Sequence, residues 1–107
     1  MSNYKNIDPV ELSDMIAQTN VALVDVRNPD EVARGFIAGA DHIQLALLPV
    51  EYEKLAKADN VVFYCHSGIR SAHAADFAVN KGIKNVHNLA GGILAWSKAG
   101  LPLVTKS

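Results

Sequence analysis

The 107-residue chain is predicted to fold as an α/β protein, a parallel sheet with helices packed on its faces. Two observations carry this. Short apolar segments of strand length alternate with helix-period patterns from Asp8 onward. The length suits one compact domain, taken as residues 1–107, in which roughly two thirds of the unfolded chain's surface can be buried. Half of the residues are apolar and a fifth are charged, as in ordinary globular proteins.

The first helix begins at Asp8-Pro9-Val10-Glu11, where Asp8 is placed to cap, Pro9 fits the first helical position and Glu11 completes a capping box. Leu12, Met15 and Ile16 form its apolar stripe, with Glu11, Asp14 and Gln18 opposite. Ala22 to Val26 is a mostly apolar run of strand length. A second helix starts at Asn28-Pro29-Asp30-Glu31 and is ended by Gly35. A brief strand is expected around His42-Ile43-Gln44. A helix from Pro49 to Lys57 should carry Tyr52, Leu55 and Ala56 inward and Glu51, Lys54 and Lys57 outward. Val61 to Tyr64 is the clearest strand and Ser71 to Lys81 the clearest helix, with Gly82 as its stop and His73, Asp76 and Asn80 as its polar stripe. Val86 to Leu89 reads as the last strand and Gly92 to Ala99 as the last helix, ended by Gly100 with Pro102 just beyond.

The net charge is −1 and the ten Lys and Arg residues are scattered, so no basic field exists for a phosphate backbone or an anionic bilayer. Neither nucleic acid nor a membrane is expected as a partner. No apolar run approaches the ~20 residues that span a bilayer, and Met1 to Asn6 lack the hydrophobic segment of a secretory signal. A cytoplasmic location is the expectation. The single cysteine, Cys65, has no second thiol to pair with or to resolve it, so any sulfur chemistry must pass its product to an outside molecule.

Cys65 follows the strand Val61 to Tyr64, at the end of a parallel sheet where ligands bind. A helix starts just after it, so the N–H groups of the turn and the first helical turn should converge on an anion. Gly68 permits a tight or left-handed turn, no acidic residue lies between Cys65 and Ser71, and Arg70 adds a permanent cation. A helix N-terminus and a nearby arginine both favour thiolate over thiol, and the thiolate is the nucleophile. Cysteine-dependent phosphatases use C-x5-R, whereas Cys65 to Arg70 is C-x4-R. The shorter ring contracts the cradle and suits one added sulfur atom better than a phosphate.

Cys65-His66-Ser67-Gly68-Ile69-Arg70-Ser71 resembles the active-site loop of the rhodanese-like, or thiosulfate sulfurtransferase, family, together with its following serine. Asp25 to Glu31, leading into Gly35 to Ala40, resembles the family's N-terminal motif, and Gly91 to Trp96 through Gly100-Leu101-Pro102 its C-terminal one. Phe36 and Ala38 depart from the His and Pro often found in the family's G-H-I-P-G-A run. The resemblance implies a three-layer fold, a five-stranded parallel sheet with helices on both faces. It also implies sulfane-sulfur transfer through a persulfide on Cys65, without a cofactor, from thiosulfate or a similar small-molecule donor to cyanide, a thiol or a protein acceptor. Carried over by residue, Cys65 is the nucleophile, the backbone from His66 through Gly68 to Arg70 is the cradle, and Arg70 meets the donor's oxyanion. His66, Ser67 and Ile69 stand where donor preference is set, and Ser71 completes the substrate-binding set.

Asp25 is read as structural, pairing or capping with Arg27 and Glu31, because a sulfite leaving group needs no proton donor. His42, His66, His73 and His87 show no ligand-like spacing, so no metal is expected. Trp96, on a helix with Ile93, is read as core, and Gly91-Gly92 as a close approach of helix to strand. Two other functions fit the chain: a non-catalytic interaction module of the same family, and a cysteine-dependent phosphatase or arsenate reductase, which the short loop disfavours.

Overall fold

The computed structural model describes residues 3–105; Met1 and Ser2, part of the N-terminal stretch read above, lie outside the described residues. Five parallel strands form one sheet in the order β1-β5-β4-β2-β3: β1 (Lys5–Ile7), β2 (Val21–Asp25), β3 (Asp41–His42), β4 (Asn60–Tyr64) and β5 (Val86–Leu89). The helices are α1 (Pro9–Gln18), α2 (Pro29–Ala33), α3 (Leu48–Glu51), α4 (Ile69–Asn80) and α5 (Gly92–Lys98). The expected α/β class and the five-stranded sheet are both found.

β4 occupies the middle of the sheet, with Val24 beside Phe63 on one side and Asn88 beside Phe63 on the other. Its side chains alternate between two cores, which is why the strand is apolar throughout. Val61 and Phe63 pack with Ala74, Ala75 and Ala78 of α4 and with Leu48 of α3. Val62 and Tyr64 pack on the other face with Leu12 of α1 and Ile93 and Trp96 of α5. Cys65 therefore emerges at the carboxyl end of a strand held on both faces.

Local chemistry accounts for most element boundaries. Asp8 and Glu11 form the predicted capping box at 2.8 and 3.0 Å, and Asn28 and Glu31 form a second at the start of α2. β1 carries no apolar alternation in the sequence, because Lys5 and Asn6 of this edge strand face solvent and only Ile7 is buried. The predicted helix over 49–57 is instead a 3-10 turn (Leu45–Leu47), the short α3 and a second 3-10 turn (Tyr52–Leu55). The tighter winding turns Ala56 about 120° from Tyr52 rather than about 40°, and Ala56 is exposed instead of inward. Ile16, expected in the buried stripe of α1, is 41 % exposed; it edges a shallow hollow beside Trp96 and Pro102, while Leu12 takes the core position. α4 begins at Ile69 rather than Ser71, since Gly68 with φ +104° completes the turn and lets the helix start at once. Among the described residues no helix is long and apolar enough to cross a membrane.

Candidate active site

From Cys65 the chain turns through His66 and Ser67 to Gly68 and enters α4. The turn brings three donors to one sulfur: the Gly68 N–H lies 3.1 Å from Cys65 Sγ, and the Ser71 N–H and Ser71 hydroxyl each lie 3.4 Å from it. Cys65 is 1 % exposed and Ser71 is fully buried. Burial pushes the thiol's pKa up, but the Ser71 hydroxyl and the amides of Ser71, Gly68 and Ser67 outweigh it, and the net shift is below the ordinary thiol value.

The loop is held from outside as well. At the start of α5, Ile93 N–H donates to the Cys65 carbonyl at 2.9 Å and Leu94 N–H to the His66 carbonyl at 3.2 Å. Gly92 is what allows this approach, since a Cβ there would stand 2.5 Å from both carbonyl oxygens. The close packing read for Gly91-Gly92 is thus of helix on the Cys65 loop. Asn88 of β5 donates from Nδ2 to the Gly68 carbonyl at 3.3 Å and to Asn6 Oδ1 at 3.1 Å, tying β1, β5 and the loop together. Its role has no local signal in the sequence.

Arg70 sits in the first turn of α4, and both its terminal nitrogens bind Glu31, at 2.7 and 2.8 Å. Those bonds hold the Glu31 carboxyl down at about 2, against its own partial burial. Glu31 also accepts from the Asn28 N–H at 3.1 Å, so α2 is locked to α4 through one carboxylate. Arg27 and Asp25 form a second pair at 2.7 Å, both buried. The Arg27 guanidinium also donates to the Gly35 carbonyl at 2.7 Å and lies 5.7 Å from the Tyr64 ring centre. Asp25 is therefore occupied in structure, as read from the sequence, whereas the Glu31–Arg70 bond joins residues 39 apart that sequence reasoning did not connect.

A cleft of about 430 Å³ opens beside the loop, lined by Arg27, Glu31, Arg34, Gly35, His66, Arg70, Ile93 and Leu103. His66, Ser67 and Ile69 are exposed around it or near it. The other histidines are dispersed: His42 Nε2 meets the Arg27 carbonyl at 2.7 Å, His87 Nδ1 meets the Val61 carbonyl at 3.2 Å, and His73 faces solvent on α4. Trp96 is buried in the core with its Nε1 donating to the Pro102 carbonyl at 2.8 Å.

Known proteins resemble this chain along nearly all of its length. A sulfurtransferase of Allochromatium vinosum is 42 % identical over 99 residues, spanning 92 % of both chains. The thiosulfate sulfurtransferase GlpE of Coxiella burnetii is 34 % identical over 93 residues, 87 % of both chains. The crystal structure of a rhodanese-related protein from Thermoplasma volcanium superposes with a TM-score of 0.87 at 30 % identity, covering 96 % of this chain and all of the other. The model of the rhodanese-like domain matches residues 8–99, which run from the cap of α1 to the end of α5, and the chain belongs to the rhodanese-like domain family.

Proposed function

We propose that the protein is a sulfurtransferase that carries sulfane sulfur as a persulfide on Cys65. The observation that carries this reading is the convergence of the Gly68 N–H, the Ser71 N–H and the Ser71 hydroxyl on Cys65 Sγ. That arrangement favours a sulfur anion, and a loop with four residues between Cys65 and Arg70 suits one further sulfur atom better than a phosphate. The names carried by relatives in Allochromatium and Coxiella support the same class of reaction.

With thiosulfate as donor, the Cys65 thiolate attacks the outer sulfur. A bond forms between Sγ and that sulfur, the donor's S–S bond breaks, and its electron pair leaves with sulfite. The persulfide anion then occupies the cradle, where the amides and the Ser71 hydroxyl stabilise the charge that has moved one atom outward. In the second half, cyanide attacks the outer sulfur and leaves as thiocyanate, or a thiolate takes the sulfur to become a persulfide itself. Either step returns the Cys65 thiolate, so the exchange balances without a cofactor. A thiol presented by a protein acceptor fits the same step.

The test is steady-state kinetics of thiocyanate formation with thiosulfate and cyanide both varied. Parallel double-reciprocal lines, and no turnover in Cys65→Ser, are expected. Intersecting lines, or full activity in Cys65→Ser, would sink the mechanism.

A further inference from the structure

We propose that Arg34, and not Arg70, is the docking cation for the anionic end of the sulfur donor. This deepens the sulfurtransferase reading, on which it rests, by assigning the residue that positions a donor of the thiosulfate kind. Three arginines line the cleft beside the Cys65 loop, and two are already committed. Arg27 is buried, with its guanidinium on Asp25 at 2.7 Å and on the Gly35 carbonyl at 2.7 Å. Arg70 gives both terminal nitrogens to Glu31. Each of these cations is matched by a carboxylate in a close bidentate pair, so each pair adds little field to the cleft. To free Arg70 for a donor, a two-bond, charge-assisted pair would have to open.

Arg34 differs. It ends α2, where its backbone N–H closes the last turn on the Glu31 carbonyl at 3.1 Å. Its side chain is exposed on the cleft wall, and among the described residues it has no carboxylate partner. It therefore brings one unmatched positive charge to the cleft, on a planar fork of donors suited to an oxyanion. Ile93 and Leu103 line the same cleft and lower its polarity, which strengthens a charge contact made there. A sulfonate-like end held by Arg34 leaves the donor's outer sulfur free to face the loop that carries Cys65. A donor without an anionic group gains nothing from this contact.

The test is calorimetric binding of thiosulfate, at low salt, to Cys65→Ser protein, in which no sulfur can transfer. Two derivatives of that protein are compared with it: one adds Arg34→Gln, the other adds Glu31→Gln together with Arg70→Gln, which removes the pair without changing net charge. Thiosulfate is expected to bind the parent, Arg34→Gln is expected to weaken Kd about fivefold or more, and the paired substitution, which also releases the contact between α2 and α4, is expected to weaken it less than Arg34→Gln does; the reverse order overturns the assignment. Arg34→Lys should restore part of the loss. No binding by the parent, or a Kd indifferent to Arg34→Gln, overturns the assignment. The two readings separate cleanly: Arg34-dependent binding in a protein whose wild type takes no sulfur from thiosulfate supports the docking role and removes the transfer role. A wild type that takes sulfur while Kd ignores Arg34→Gln does the reverse.

Discussion

The Ser71 hydroxyl lies 3.4 Å from Cys65 Sγ, and both residues are buried at the end of the central strand. A hydroxyl in that position donates to a thiolate and so lowers the energy of the charged sulfur. Removing it with Ser71→Ala leaves the two amide contacts and a small void. The thiolate should then form at higher pH: the ultraviolet absorbance of the thiolate, followed against pH, is expected to show a midpoint raised relative to wild type. Because burial is outweighed by the donors and the wild-type midpoint lies below the ordinary thiol value, reactivity should rise with pH and reach half its plateau at lower pH than for a free cysteine. An unchanged midpoint in Ser71→Ala would mean that the hydroxyl donates elsewhere.

Gly92 is where the loop and α5 touch, with φ at +59° and room for no side chain. Gly92→Ala puts a methyl 2.5 Å from the carbonyls of Cys65 and His66 and forces a left-handed backbone on a residue that resists it. A stability loss of about 2 kcal/mol or more is expected in urea unfolding, with loss of sulfur transfer as the loop is pushed aside. Unaltered stability would show that the helix can retreat without disturbing the loop.

The buried Asp25–Arg27 pair supports the chain leading into α2. Asp25→Ala strands the Arg27 charge in the interior and is expected to cost about 3–5 kcal/mol in denaturant unfolding. Near-normal stability combined with lost turnover would instead mark Asp25 as a participant in the chemistry.

Glu31 has a carboxyl held near 2 by Arg70, against an ordinary value of 4.5. A carboxylate depressed in this way stabilises the fold above the unfolded-state value and loses that contribution as pH falls from 4.5 through about 2. The stability advantage of wild type over Glu31→Gln should therefore shrink across that interval, as read from urea midpoints at successive pH values. A constant difference would assign the interaction to hydrogen bonding alone.

What could be read in the chain and what could not divides by distance along it. The Cys65 turn was legible because its parts are adjacent: a strand, a cysteine, a glycine able to take a positive φ, and a helix start within seven residues. The capping box at Asp8 and the helix start at Asn28 are legible for the same reason. β1 is not legible in the sequence, where the family resemblance implies a fifth strand without placing it, because a three-residue edge strand with two exposed polar side chains has no periodicity to show. Glu31, Asn88 and Gly92 act on the loop across folds in the chain; the neighbourhoods of Glu31 and Asn88 suggest nothing more than a helix cap or local pair and a strand residue, and that of Gly92 a close approach whose partner, the Cys65 loop, only the fold supplies. The division of Arg27, Arg34 and Arg70 into paired and unpaired cations likewise appears only when the cleft is assembled.

Sulfur transfer through Cys65 is tested most directly by intact-protein mass spectrometry of the reduced protein before and after thiosulfate, with Cys65→Ala alongside and polysulfide as a second donor. A gain of one sulfur atom, removed by cyanide and absent in Cys65→Ala, is the expected result. No gain from either donor, or an equal gain in Cys65→Ala, would contradict a persulfide on Cys65 and leave the fold with a binding role instead.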